Sequence, residues 1–431
     1  MRDHWLPSPG NSQHYVLGNV RIPPALSSLE PGSNGWCEAD ILIENGNIAA
    51  VAPVGKMPAD SIEYVDADKG ILYSGLVDCH THLDKAHVTA FADFPPCNLL
   101  DAIAAMAENK KSWTAESLSA RVEFSLKSAF ASGVRAMRSH VDFNPDTSDF
   151  IWGVMSEFIQ SYTERVDLQL SPLASIVHFD EVEFCRRIYE VAAKQGVLGL
   201  FIYDQSDLQN RLTPIFEHAN AQGWDIDLHV DEGLDASLDG LNAVAEVTLA
   251  TRFTGKVLCG HCVALNSYDE ERRKRVIDRS LEAGLHFVSL PVTNLYLQGR
   301  ESNGLPQLRG MTPVGHLSDE GAVVSFGADN VRDGFCAFGE FDPMAVLNLG
   351  AQIGHLDEPG RDWAALVTKN PAHSMGLDWQ GDITKGAPAD LVLFSARTSG
   401  ELSARGETLR IVIRNGCWLD EKLPDYRELN G

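Results

Sequence analysis

Apolar, strand-like runs alternate with helix-like stretches through the middle of the chain. The eight runs are Ile71–Asp78, Val134–Arg138, Leu168–Ser171, Val197–Ile202, Asp225–Leu228, Lys256–Gly260, Leu285–Leu290 and Ala322–Gly327. After the second run, successive strand ends are about 26–38 residues apart, the length of one strand–helix unit. This alternation is typical of parallel sheets, and eight such units predict an α/β protein with a (β/α)8 TIM barrel.

The two ends of the chain have a different pattern. They contain the short β-like runs Tyr15–Arg21, Ala39–Glu44, Ile48–Val51, Asp390–Phe394 and Leu409–Arg414. Asn45-Gly46 and Asn415-Gly416 are hairpin turn signals. We therefore predict a small β-sandwich domain formed by residues 1–70 and 376–431, which flank a barrel of residues 71–375.

The first interval between strand ends is the longest, which indicates an insertion in the loop after the first barrel strand. It contains the proline-bearing segment FADFPPCNLL (91–100), which we interpret as a rim or lid segment of the barrel. A helix is predicted over 116–131, ending before Gly133.

Polar side chains with metal-binding or acid–base chemistry collect where these strands end. Active sites of TIM barrels lie at the C-terminal ends of the strands. The chain has 14 His, and four of its eight predicted strand ends carry one. The residues at these ends are His80, His82, His140 with Asp142, Tyr203, His229 with Glu232, His261 and Asp329.

The sequence His80-Thr81-His82 is the strongest local feature. Alternate residues of a strand point the same way, so both imidazoles can face one ion, and imidazole nitrogen suits zinc and iron. His229 offers a third nitrogen. Asp329 offers a carboxylate that can ligate the ion and accept a proton from water.

Three further residues have expected places around this ion. Glu232 follows His229 by three residues and is suited to proton shuttling. His261 is expected near the attacking water or a substrate oxygen. His140 either supports the site from behind or is a buried structural histidine.

Composition narrows the possible partners. The net charge of −25 disfavours a nucleic acid partner, because an acidic surface repels phosphates. No run of 18 apolar residues predicts a membrane span, and the N-terminus lacks an apolar signal core. With eight Cys in such a chain, we expect a cytoplasmic protein with reduced thiols, a small-molecule substrate and possible homo-oligomers.

Several motifs together resemble the amidohydrolase superfamily, within it the cytosine deaminase branch. They are GLVDCHTHLDK (75–85), RSHVD (138–142), DLHVDE (227–232), GHCVAL (260–265), NLYLQGR (294–300), GADNVRDGF (327–335) and GDITKGAPADLVLF (381–394). The resemblance implies metal ligation by His80, His82, His229 and Asp329. It also implies that Glu232 shuttles protons to a ring nitrogen and that His261 orients the water.

The resemblance implies one divalent metal ion, Zn²⁺ or Fe²⁺. Two-metal members often bridge their ions with a lysine at strand 4, and the segment LFIYD has none. The implied reaction is hydrolytic deamination of an amino-substituted nitrogen heterocycle, with release of ammonia. The alternative within the family is hydrolysis of a cyclic amide, or of an N-alkylamino triazine or pterin-type ring. Outside this carbon–nitrogen chemistry, a phosphoryl-ester hydrolase and a non-catalytic binding protein also stay open.

The pocket departs from cytosine deaminase at three positions. The segment LSPLASIVHF lacks the glutamine expected after strand 3, Asn330 stands where an aspartate is expected, and Phe335 stands where a tryptophan is expected. We predict that Asn330, Phe335, Tyr203 and Gln298 contact the substrate, which is expected to be a cytosine-like pyrimidine or a related ring.

Overall fold

A computed structural model describes residues 5–10, 12–57, 62–94, 98–145, 148–203, 206–300, 304–358, 361–404 and 409–430. Its strands are β1 His14–Ile22, β2 Cys37–Glu44, β3 Asn47–Pro53, β4 Glu63–Asp66, β5 Ile71–Ser74, β6 Leu76–Thr81, β7 Val134–Asp142, β8 Asp167–Ser175, β9 Val197–Ile202, β10 Asp225–Val230, β11 Val257–His261, β12 His286–Ser289, β13 Val323–Phe326, β14 Leu391–Phe394, β15 Arg410–Arg414 and β16 Cys417–Trp418.

The α-helices are α1 Leu99–Lys110, α2 Ala115–Ser132, α3 Ser148–Tyr162, α4 Val182–Gln195, α5 Leu208–Gln222, α6 Gly240–Ala250, α7 Glu270–Glu282, α8 Pro291–Leu297, α9 Val314–Asp319, α10 Pro343–Gly354, α11 Lys369–Ser374 and α12 Ser399–Ala404. Short 3-10 helices cover Pro24–Leu26, Val88–Ala90, Ile176–Asp180, Val263–Asn266, Ala364–Val367 and Tyr426–Asn430. Within the described residues, no helix has the length and apolar character needed to cross a membrane.

Strands β6 to β13 form the predicted barrel. Each strand pairs in parallel with its neighbour in chain order. The first and last strands meet through a bridge between Thr81 and Asp329, where the Asp329 N–H donates to the His80 carbonyl at 2.9 Å. This closure joins two of the predicted metal ligands through the backbone.

The predicted first strand, Ile71–Asp78, is in fact two strands in two different sheets. β5 pairs with β14 and β1 in the sheet of the chain ends, and β6 begins the barrel. Gly75 lies between them because a Cβ there would come within 2.8 Å of the Arg135 Cβ. The apolar run is continuous in sequence, since both strands are buried, and this concealed the boundary.

The chain ends meet in one mixed sheet with the order β16-β15-β14-β5-β1-β2-β3, and β4 also pairs with β1. Both expected turns are present. Asn45 and Gly46 have φ of 50° and 79°, and Asn415 and Gly416 have φ of 51° and 76°, as a tight hairpin requires.

The loop after β6 contains a helix, α1, that was not predicted. Asn98 caps it by accepting a hydrogen bond from the Asp101 N–H, and Leu99, Ala102 and Met106 are its buried apolar residues. The predicted rim segment 91–100 overlaps its start, although 95–97 lie outside the described residues. The expected helix at 116–131 is confirmed as α2, which ends at Gly133 with φ of 97°.

Candidate active site

Four side-chain donor atoms converge at the C-terminal mouth of the barrel. His229 Nε2 lies 3.2 Å from His80 Nε2 and 3.0 Å from His82 Nε2. Asp329 Oδ1 lies 3.2 Å from His82 Nε2 and 3.6 Å from His80 Nε2. Ligand atoms around a tetrahedral zinc ion with bonds of 2.0–2.1 Å are about 3.3 Å apart, so the spacing fits one ion.

The electrostatics of these residues also suit a cation. All four side chains are buried, and burial lowers the pKa of His80, His82 and His229 well below its ordinary value. Neutral imidazoles keep a lone pair available for a metal. Three imidazole nitrogens and one carboxylate oxygen form a donor set for a divalent metal ion.

The backbone turns sharply beside these residues. Asp231, His261, Cys262 and Asp329 all have positive φ, between 48° and 68°. Non-glycine residues in this left-handed region cost of order 1–3 kcal/mol each, and such residues cluster at functional sites. The strands β10, β11 and β13 therefore end in strained turns at the place where the polar side chains gather.

Glu232 and His261 lie together beside the four donors. Their closest atoms, Oε1 and Nδ1, are 3.4 Å apart, and the side-chain amide of Asn294 is 3.0 Å from the same nitrogen. A nitrogen of His261 is also within 4.8 Å of the donor atoms of His80, His229 and Asp329. Burial, and then the nearby Asp329, raise the pKa of Glu232 well above its ordinary value.

His140 lies behind the donors. Its ring centroid is 4.3 Å from that of His80 and 4.6 Å from that of His229. Its Nε2 is 3.4 Å from Asp227 Oδ1, and Arg138 donates to the other oxygen of Asp227 at 2.9 Å. Asp227 and Arg138 therefore form a buried charged layer beneath the predicted metal-binding imidazoles.

A cavity of about 480 Å³ opens onto this cluster. His82, His229, Glu232 and His261 line it on the catalytic side. Part of its apolar lining comes from α1, as Leu99, Ile103 and Met106. The rest comes from β8, from β9 and from the loop after β13, as Leu173, Phe201 and Phe335. The volume suits a small organic molecule.

The predicted substrate contacts have different positions. Asn330 and Phe335 line the cavity, and the Asn330 amide donates to Asp333 Oδ2 at 2.7 Å. Tyr203 stacks on the cavity residue Phe201, with ring centroids 6.2 Å apart. Gln298 is buried and its side-chain nitrogen donates to the Glu232 carbonyl at 3.2 Å, so it contacts the backbone of Glu232.

Sequence reasoning missed three charged or polar residues of the site. Lys85 and Lys110 line the cavity and both donate to Asp142, while Asn294 contacts His261. A signal for two of them existed, because Lys85 and Asn294 lie inside motifs that carry the family resemblance. Lys110 had no such signal, since it comes from the unpredicted helix α1.

The chain belongs to the amidohydrolase family. The model of this family matches residues 177–417, more than half of the chain. Pterin deaminase from Rhizobium rhizogenes is 36% identical over 429 residues, which is 98% of each chain. Both this sequence identity and the four donor atoms at the mouth of the barrel agree with membership of the family.

More distant relatives match most of the chain in sequence or in fold. N-isopropylammelide isopropyl amidohydrolase from Pseudomonas sp. is 22% identical over 82% of this chain and 86% of its own. The crystal structure of 5-methylcytosine deaminase from Klebsiella pneumoniae, liganded with phosphonocytosine, has a TM-score of 0.82 and 22% identity over 94% of this chain and 98% of its own. At this identity the structural likeness concerns the fold, and it confirms the barrel with its companion sheet.

Proposed function

We propose that this protein is a metal-dependent hydrolase that deaminates an amino-substituted nitrogen heterocycle of the pterin type. Water replaces the amino group on a ring carbon, a carbonyl forms, and ammonia leaves. The observation that carries the proposal is the convergence of three imidazole nitrogens and one carboxylate oxygen beside the buried carboxyl of Glu232, at the wall of one cavity.

His80, His82, His229 and Asp329 would hold one divalent ion. A bound ion of this kind acts as a Lewis acid that makes water nucleophilic near neutral pH. We assign one ion because β9 ends in Phe201 and Ile202 and supplies no lysine to bridge two. Zinc is favoured over Fe²⁺ by intrinsic affinity, although metal availability also matters.

The residues around the ion move the protons. Asp329 takes the proton released by the attacking water. Burial raises the pKa of Asp329 to about 8, and a cation in contact would oppose this rise. Glu232 donates its proton to the ring nitrogen next to the attacked carbon, and His261 orients the attacking water. Asp329 then passes its proton to the amino group, which leaves as ammonia, and Glu232 recovers a proton from the hydroxyl that becomes the carbonyl.

The substrate class rests on the pterin deaminase relative and on the cavity. The cavity has room for a bicyclic ring, and its apolar side chains can pack on the faces of an aromatic substrate. The seven described cysteines are free thiols, which agrees with the proposed cytoplasmic location. A homo-oligomer stays a prediction.

The test is ammonia release by the metal-loaded protein from pterins, cytosine, isocytosine, 5-methylcytosine, aminotriazines and creatinine, with metal analysis of the same sample. We expect release from a pterin at a metal content near one ion per chain. A metal-replete protein that releases no ammonia from any of these compounds would contradict the proposal.

A second candidate is removal of an alkylamine from a triazine ring. It is favoured by the likeness to N-isopropylammelide isopropyl amidohydrolase. The attack on the ring carbon is the same in both reactions, so product analysis separates them. An alkylamine in place of ammonia as the main product would favour this candidate.

A further inference from the structure

Three charged side chains form a group on the cavity wall, separate from the proposed metal ligands. They are Lys85, Asp142 and Lys110. Lys85 Nζ donates to Asp142 Oδ1 at 2.8 Å, and Lys110 donates to the other oxygen of Asp142. The side chains of both lysines are 4% exposed, whereas that of Asp142 is 21% exposed. Asp142 is therefore the most accessible member of the group.

The charges of this group are fixed by its own contacts. Burial alone would raise the pKa of Asp142, but Lys110 and Lys85 hold it below its ordinary value. Burial alone would lower the pKa of Lys85, but Asp142 and Asp84 raise it above its ordinary value. At neutral pH Asp142 can only accept hydrogen bonds and Lys85 can only donate them.

Both partners have hydrogen-bonding capacity left. An ammonium has three donors, and the contact with Asp142 uses one of those of Lys85. A carboxylate has about four acceptor sites, and the two lysines fill two of the four on Asp142. The cavity wall thus offers an acceptor beside a donor, with the two atoms 2.8 Å apart.

A lactam edge is the complement of such a pair. In a lactam, a ring N–H stands beside a carbonyl, and the nitrogen and oxygen are about 2.3 Å apart. The N–H can donate to Asp142 while the carbonyl accepts from Lys85. Because one partner of each hydrogen bond is charged, these contacts are stronger than those between neutral groups.

The pair is also close to the reacting groups. Lys85 and Asp142 line the same cavity as His229 and Glu232. The Nζ of Lys85 lies 5.3 Å from the centroid of the Phe335 ring, another part of the same cavity. A ring with its amino-bearing carbon at the metal-binding residues would present a neighbouring edge to Lys85 and Asp142.

We propose that Lys85 and Asp142 read a lactam edge next to the amino-bearing carbon, and so select amino-oxo heterocycles. Lys110 is a positioning residue, which acts by holding Asp142. The proposal rests on the proposed deamination and specifies its substrate class. A diamino ring of nearly the same size has the opposite pattern, with a bare nitrogen facing Asp142 and an amino group facing Lys85.

The first test compares 2-amino-4-oxopteridine with 2,4-diaminopteridine on the wild-type metalloenzyme, with the product of each reaction identified by chromatography against the authentic 2-amino-4-oxo and 4-amino-2-oxo isomers, which have the same mass. We expect kcat/KM to be at least about 100-fold lower for the diamino ring, because two hydrogen bonds to charged groups are lost. Values within about threefold of each other would overturn the inference while leaving the deaminase function in place.

The second test uses Lys85→Met and Asp142→Asn. Each should lower kcat/KM for the amino-oxo ring by about 10- to 100-fold and narrow the ratio between the two rings, with unchanged metal content. Lys274→Met is the matched control, because this lysine is 60% exposed on the distant helix α7.

A Lys85→Met enzyme that keeps the wild-type ratio would overturn the inference. If Asp142→Asn does not fold, Lys85→Met and the wild-type comparison still decide it. A metal-replete wild type that releases no ammonia from any heterocycle would refute the deaminase proposal, and this inference with it. That result is distinct from equal turnover of the two rings.

Discussion

The two sides of the cavity come from different parts of the fold. The predicted metal ligands His80, His82, His229 and Asp329 lie at or just after the C-terminal ends of β6, β10 and β13, which the barrel's backbone pairing holds in place. On the opposite side, α1 of the inserted loop carries Lys110, which reaches Asp142 at the end of β7. The proposed metal-binding residues thus depend on the barrel alone, whereas the proposed recognition group also needs Lys110 from the inserted helix. Substitutions on the two sides should therefore have different effects. Those on the metal side should remove the ion or the turnover, and those on the other side should reduce discrimination between substrates.

The largest effect is expected on the metal side, from His229→Ala. This change removes the nitrogen that lies 3.0 Å from His82 Nε2 and 3.2 Å from His80 Nε2. We expect loss of the bound metal and a fall of ammonia release to background, measured by elemental analysis and enzyme assay. His316→Ala, on the surface helix α9, is the control. Normal metal content in the His229 variant would contradict the assigned ligand set.

Glu232→Gln should separate metal binding from proton transfer. The glutamine keeps the shape but cannot deliver a proton, so kcat should fall by about 10²- to 10⁴-fold while metal content stays normal. Glu271→Gln, with a side chain 93% exposed on α7, controls for the loss of one negative charge. Near-normal kcat in the Glu232 variant would remove this residue from the mechanism.

Lys110→Met tests the recognition side alone. It removes one of the two ammonium groups on Asp142, so the carboxylate should be held less firmly. We expect about a 10-fold loss of discrimination between amino-oxo and diamino rings, with metal content and Glu232 function intact. Loss of metal in this variant would show that the two sides of the cavity are coupled.

Asn294→Ala should give the smallest change and acts on the catalytic side. Its amide is 3.0 Å from His261 Nδ1, so its removal frees the imidazole to rotate. One hydrogen bond contributes about 0.5–1.5 kcal/mol, which corresponds to a decrease of kcat of up to about 10-fold with little change in KM. A rise in KM with unchanged kcat would instead place Asn294 in substrate binding.

Much of the barrel could be predicted because its strands are short apolar runs that end in polar residues. His80, His82, His229 and Asp329 could be predicted as ligands because each follows such a run, and the structure brings their donor atoms together. The division at Gly75 was not visible, since burial makes the runs on both sides of it apolar.

The recognition side was harder to predict because its residues meet only in three dimensions. Lys110 is 32 residues from Asp142 in sequence, and the position of α1 brings the two together. Gln298 is predicted to contact the substrate, and only the structure reveals that its side-chain nitrogen donates to the backbone carbonyl of Glu232. Sequence reveals which residues have useful chemistry more readily than it reveals which of them face the ligand.

The pairing of β5 with β14 has a consequence for how the chain folds during synthesis. Ser74 pairs with Leu391, so the ribosome must add more than 300 residues before β5 can find this partner. At about 5–20 residues per second, the β5 edge waits for tens of seconds. An open strand edge invites wrong pairing with other chains. The nascent barrel, which begins two residues after β5, thus has to form while its companion sheet is still incomplete.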